Sequence, residues 1–133
     1  MGKGKQEMKI IIAGDGKVGL ALTRLLSEEG HDLVTIDSNR EVLERNTQLY
    51  DVMAVAGNCA TMATLREANV EQADVLIAAT SADEINLLCC LTARKLNPSL
   101  HTIARVRSPE YIEQLYLMRE DFGLSMIINP ERE

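Results

Sequence analysis

The run Gly14-Asp15-Gly16-Lys17-Val18-Gly19 follows directly on the apolar segment Lys9–Ala13 and opens a stretch in which Val18, Leu22, Leu25 and Leu26 recur at helical spacing. A strand, a glycine turn and a helix in that order leave few folds open. Gly14 permits a tight turn, Gly16 lets the backbone approach a pyrophosphate, and Gly19 lets helix and strand pack closely. The helix then aims its free N–H groups and the positive end of its dipole at the phosphates. Asp15 sets a carboxylate inside this loop, where ligand charge belongs. Pointing to solvent, that carboxylate would be screened, and Lys17 is placed to offset it.

The remainder of the chain repeats the same alternation. Strands are predicted at Lys9–Ala13, Leu33–Ile36, Val52–Ala56, Val75–Ala79, Thr102–Val106 and Ser125–Ile128, each short and almost continuously apolar, as strands covered on both faces are. Helical patterns lie between them: a weaker one through Val42, Arg45 and Leu49, then Met62 to Ala68, Ala82 to Leu96, and Pro109 to Asp121 after the capping candidate Ser108. Gly30 stands where a helix C-cap belongs, and Asn97-Pro98 closes the long fourth helix. Six strands and five helices joined by right-handed crossovers predict a three-layer α/β domain with a doubly wound parallel sheet in the order 3-2-1-4-5-6, a Rossmann fold. Met1 to Glu7 reads as a flexible leader, with the folded unit over 8–133.

Such a domain takes up the whole length. At 133 residues the chain fits a cofactor-sized domain and leaves no room for a separate substrate domain. Twenty acidic residues against 14 basic ones give a net charge of −6, and no stretch concentrates Lys and Arg, so nucleic acid is excluded as the expected partner. With 3% aromatics the stacking platforms for single strands are missing as well. No signal peptide or run of 18 apolar residues appears, and Cys59, Cys89 and Cys90 lack metal-type spacing; they read as structural free thiols of a cytoplasmic protein.

Open α/β sheets bind ligands at the carboxyl ends of their strands. There Asp37 ends the second strand 18 positions beyond Gly19, placed to accept hydrogen bonds from ribose hydroxyls and to repel a 2′-phosphate, which favours NAD(H) over NADP(H) and suits any adenosine nucleotide with a free ribose. Asn58 and Cys59 follow the third strand, Thr80 and Ser81 the fourth, and Arg105 lies near the end of the fifth as a candidate phosphate partner or a surface ion-pair residue. His31 and His101 sit at the opposite end of the sheet, and no nucleophile elbow, zinc-protease or Walker motif appears, so no catalytic residue is predicted. Two enzymatic alternatives share the glycine motif: the cofactor domain of an NAD-dependent dehydrogenase lacking its substrate half, and a methyltransferase using S-adenosylmethionine.

Residues 8–131 resemble the TrkA-N domain family, the N-terminal domain of regulators of potassium conductance. The resemblance is carried by Ile10 to Gly19, Leu33 to Asp37, Leu65 to Ala68, Ala73 to Asn86, Ile103 to Arg107 and Ile127 to Glu131; the glycine motif is widespread, whereas Thr80-Ser81-Ala82-Asp83-Glu84-Ile85-Asn86 and Ile103-Ala104-Arg105-Val106-Arg107 are much more specific. It implies a non-enzymatic module that binds NAD or NADH, or ATP or ADP, and biases the arrangement of paired domains, regulating a membrane potassium transporter or channel subunit from the inner face of the cell membrane. It also implies residue roles: Gly14 to Val18 cradling the pyrophosphate, Asp37 holding the adenosine ribose, Asn58 and Cys59 bordering adenine, Thr80 and Ser81 lining the nicotinamide side, and Arg105 reaching a phosphate. The chain departs from the family's usual G-D-A-T in reading Gly57-Asn58-Cys59-Ala60. The C-terminal lobe usual in the family is expected to be absent, which would make the chain a fragment or one half of a larger regulator. A homodimer or higher assembly is expected through the fourth and fifth helices, whose exposed faces are read as carrying Leu87, Leu88, Leu91, Ile112 and Leu115.

Overall fold

Each residue of Ile10–Ala13 is buried, because helices cover this strand on both faces, and that accounts for its unbroken apolar run. A computed structural model describes residues 7–14, 16–122 and 126–128. In chain order it comprises β1 (Lys9–Ala13), α1 (Lys17–Glu28), β2 (Asp32–Asp37), α2 (Arg40–Leu49), β3 (Met53–Ala56), α3 (Met62–Glu67), a 3₁₀ turn (Val70–Gln72), β4 (Val75–Ala78), α4 (Asp83–Leu96), β5 (His101–Arg105), α5 (Pro109–Phe122) and β6 (Met126–Ile128). All strand pairs are parallel and the order is β3-β2-β1-β4-β5-β6, as predicted. Residues 1–6 of the expected leader, Asp15, Ser125 and residues 129–133 lie outside the described residues.

Side chains alternate between two cores. Ile10, Ile12, Leu33, Ile77 and Ala79 meet Val18, Leu22 and Leu26 of α1, whereas Ile11, Ala13, Ile36, Leu76 and Ala78 face Leu65 of α3, Cys89, Cys90 and Ala93 of α4, and Leu115 of α5. Helix ends follow local chemistry. Gly30 adopts φ +86°; its N–H donates to the Ser27 carbonyl while that of His31 donates to Leu26, which completes a Schellman cap. Asn39 caps α2 by accepting from the N–H groups of Glu41 and Val42, and Ser108 caps α5 by accepting from Tyr111.

The expected five-leucine-type face on α4 and α5 is smaller than predicted. Leu115 is buried, and Leu87 and Ile112 pack half-buried against the core, because the sheet needs more of each helix stripe than the sequence pattern suggested. Leu88 and Leu91 stay exposed on α4, joined on α5 by Tyr116 and Leu117. No helix among the described residues is long and apolar enough to cross a membrane.

Candidate functional site

At the carboxyl ends of the strands, where the sheet order reverses between β1 and β4, a cavity of about 830 Å³ opens. This lies within the usual range of about 300–1,000 Å³ for small-molecule sites. Its wall begins with Gly14, which is required twice over. Its φ of +106° is one that side chains rarely adopt, and a Cβ would lie 2.8 Å from the Thr80 nitrogen. Gly16 differs: no atom lies within 4 Å of the position a Cβ would take, so its face stays open to the cavity. Gly19 is closed in the opposite sense, since a Cβ there would collide with the Gly14 carbonyl.

Gly16 caps α1 without a side-chain hydrogen bond, and no acidic residue occupies the first turn of that helix. The uncapped amides and the dipole therefore act without a neutralising carboxylate from α1. Lys17 stands beside them, a cation at a helix end that electrostatically favours anions. Arg105 and Arg107 add two more cations to the lining, against one acidic lining residue, Asp37, among the described residues. In a chain of net charge −6, the described lining thus carries three cations against one carboxylate, an arrangement that attracts an anion.

Asp37 ends β2, where its Oδ1 accepts the N–H of Asn39 at 2.8 Å. Arg105 ends β5. Its Nη1 donates to the Thr80 carbonyl at 3.1 Å, while its Nε is buried and finds no partner among the described residues. A buried, unpaired guanidinium N–H is costly, and an acceptor supplied by a ligand would relieve that cost.

Of the residues singled out in the sequence, Gly14, Gly16, Lys17, Asp37, Asn58, Cys59, Thr80, Ser81 and Arg105 line this one cavity. Val18 and Gly19 do not. Val18 packs against the core under α1, and Gly19 sets the distance between helix and turn. Sequence reasoning missed Ser38, Ile85 and Arg107 as lining residues; Ser38 follows Asp37 directly and Arg107 lies two positions past Arg105, so their proximity to assigned residues was the available signal.

The three cysteines lie together at the wall of the cavity that carries Asn58. Cys59 forms part of its wall, and the hydrogen bond from Cys89 holds the Cys59 thiol below its ordinary value. That same bond, together with burial, pushes Cys89 well up, and burial raises Cys90 to about 12. Cys89 and Cys90 are thus inert packing residues at neutral pH.

The parallel order, the glycine turn and the crevice at the switch point define a Rossmann-type domain with a cleft lined by Lys17, Arg105 and Arg107. Residues 10–130 match the family model described as the TrkA-N domain, and the chain belongs to that family. Two relatives, both called Trk system potassium uptake protein TrkA homolog, come from Methanothermobacter thermautotrophicus and Archaeoglobus fulgidus. The first is 41% identical over 127 residues, 94% of this chain and 56% of its own length; the second is 40% identical over 124 residues, 93% of this chain and 28% of its own. The chain therefore spans about half or less of these relatives. Among solved structures, the TrkA-N domain of the inner membrane protein ybaL from Escherichia coli superposes with a TM-score of 0.83 at 24% identity, covering 96% of this chain and 91% of that one. A GsuK channel bound to NAD gives 0.76 at 25% identity, covering 95% and 22%, and GsuK bound to ADP gives 0.74 at 26%, covering 94% and 32%.

Proposed function

We propose that this domain binds an adenine nucleotide, NAD(H) or ATP/ADP, in the cleft between β1 and β4 and acts as a regulatory module for a membrane potassium transporter or channel. The observation that carries the reading is the cleft itself: an uncapped helix N-terminus, an open Gly16, Lys17, an Arg105 whose buried Nε finds no partner among the described residues, and the Asp37 carboxylate at the end of β2 all line one cavity. The names of the relatives and the NAD and ADP of the GsuK structures agree with it. In this reading the Gly14–Lys17 turn and Arg105 hold the phosphates, Asp37 holds the adenosine ribose, and Asn58 and Cys59 border the adenine. Thr80 and Ser81 lie along the second half of a dinucleotide. The ligand supplies differential binding energy and no bond is broken: among the described residues the cavity lining contains no histidine, and its one carboxylate lies at the ribose end.

Regulation then follows from a difference in nucleotide affinity between two arrangements of paired domains, with Leu88 and Leu91 of α4 and Tyr116 and Leu117 of α5 as the apolar contact. The module would work in the cytoplasm, meeting the membrane through its partner protein. Calorimetric titration with NAD, NADH, ATP and ADP tests the binding step. Heat of binding is expected for at least one of them, and silence for all four refutes the reading. Asp37→Ala is expected to weaken the nucleotide that binds by roughly 5- to 150-fold, the loss of a charge-assisted hydrogen bond worth about 1–3 kcal/mol. Unchanged affinity removes Asp37 from the site.

A further inference from the structure

The β4–β5 ladder ends at the pair Ala78 and Ala104, yet Thr80 and Arg105 beyond it must keep fixed places if they are to meet one ligand. One side chain links them. Asn86, on α4, is fully buried, and its Oδ1 accepts from the Thr80 N–H at 2.9 Å and from the Thr80 hydroxyl at 2.6 Å. Its Nδ2 donates to the Thr80 carbonyl at 3.1 Å and to the Arg105 carbonyl at 2.8 Å.

The amide thus uses two acceptor and two donor positions, its full capacity. Its orientation is forced: reversed, it would set NH₂ against the Thr80 N–H and oxygen against two carbonyls. The triangle closes on itself, because the Thr80 carbonyl that receives Nδ2 also receives Arg105 Nη1 at 3.1 Å. The Ala79–Thr80 peptide held in this way is also the surface against which Gly14 rests without room for a Cβ. One buried amide therefore ties together the glycine turn, Thr80 and Arg105, while none of its hydrogen bonds goes to β2 or β3, which carry Asp37 and precede Asn58.

We infer that Asn86 is a positioning residue of the cleft, which sets Thr80, Arg105 and, through the Ala79–Thr80 peptide, the glycine turn for the phosphate-bearing part of the ligand without lining the cavity itself. The inference rests on the nucleotide reading above and separates the two ends of the ligand. Loss of the amide should weaken contacts to phosphate and spare those to adenosine.

The experiment is an NMR titration of the unaltered protein and of Asn86→Ser with ADP and with adenosine. A serine hydroxyl is too short to span the two strands. In the variant the ADP dissociation constant is expected to rise about tenfold or more while that for adenosine changes by less than about twofold. An equal change for both ligands, or none, in a variant shown to be folded overturns the inference and reduces Asn86 to a packing residue. Should the variant not fold, the unaltered protein decides: the Asn86 side-chain NH₂ resonances are expected to shift on saturation with ADP and to stay in place with adenosine, and their indifference to ADP overturns the assignment. If NAD(H) is the only nucleotide the unaltered protein binds, NAD takes the place of ADP in the same comparison; silence toward NAD, NADH, ATP and ADP alike is a different result, which refutes the nucleotide reading and this inference with it.

Discussion

Gly19→Ala is expected to abolish measurable nucleotide binding and to destabilise the domain by about 3 kcal/mol, near the upper end of overpacking costs. The added Cβ collides with the Gly14 carbonyl, a backbone atom that has no rotamer by which to give way. Relief requires α1 to move off β1 or the turn to move into the cavity, and either displaces the amides that face the ligand. For a chain of this size, about 3 kcal/mol lowers Tm by roughly 10–15 °C. Scanning calorimetry and isothermal titration check the two effects. Gly16→Ala is the control within the same experiment. Its Cβ enters open space, so Tm should hardly change while affinity falls, because the methyl group occupies the approach to the phosphates. Equal Tm for the two variants would mean that Gly19 does not set the distance between helix and turn.

Leu76→Ala is expected to cost about 2–5 kcal/mol, the range for truncating a fully buried leucine. Leu76 is inaccessible to solvent in the centre of β4, paired with Ile11 on one side and Thr102 on the other, and it packs in the larger core. Against a total stability of about 5–15 kcal/mol this leaves a marginal domain. The variant also discriminates function. A ligand that binds only the folded state at 100 times its Kd returns about 2.7 kcal/mol, so saturating nucleotide should recover much of the lost Tm of Leu76→Ala, whose cleft is intact. It should recover none for Gly19→Ala, whose cleft is not. A Tm of Leu76→Ala that is indifferent to NAD, NADH, ATP and ADP alike would count against the cleft as a nucleotide site.

Element types were legible in the sequence because their signals are local. Burial on both faces writes continuous apolar runs into β1 and β4, and Gly30 and Ser108 mark helix ends through backbone geometry that depends on near neighbours. Boundaries were less legible. Val106 is as deeply buried as a strand residue but lies past the end of β5 at Arg105, and Val52 precedes β3, its N–H donating to Tyr50 in a local turn. Burial and ladder pairing are different properties, and only the first is written in hydrophobicity. The 3₁₀ turn over Val70–Gln72 escaped notice because its left-handed entry, at φ 63°, is made by Asn69 where glycine would have announced it.

The same division runs through the site. The glycine turn and Asp37 are detectable by spacing alone, since a strand, a turn and a helix fix how far apart a phosphate cradle and a ribose acceptor stand along the chain. Arg105 and Asn86 have no such spacing rule. That Arg105 leaves a buried Nε without a partner among the described residues, and that Asn86 donates to the Arg105 carbonyl, depends on β4 and β5 lying side by side with α4 packed over them. By itself the sequence determined the alternation of strands and helices and the position of the glycine turn, because both follow from contacts between near neighbours. Only the tertiary structure decided which polar groups meet in the cleft and which leucines remain outside the core, because those depend on register and packing between segments some twenty residues apart or more.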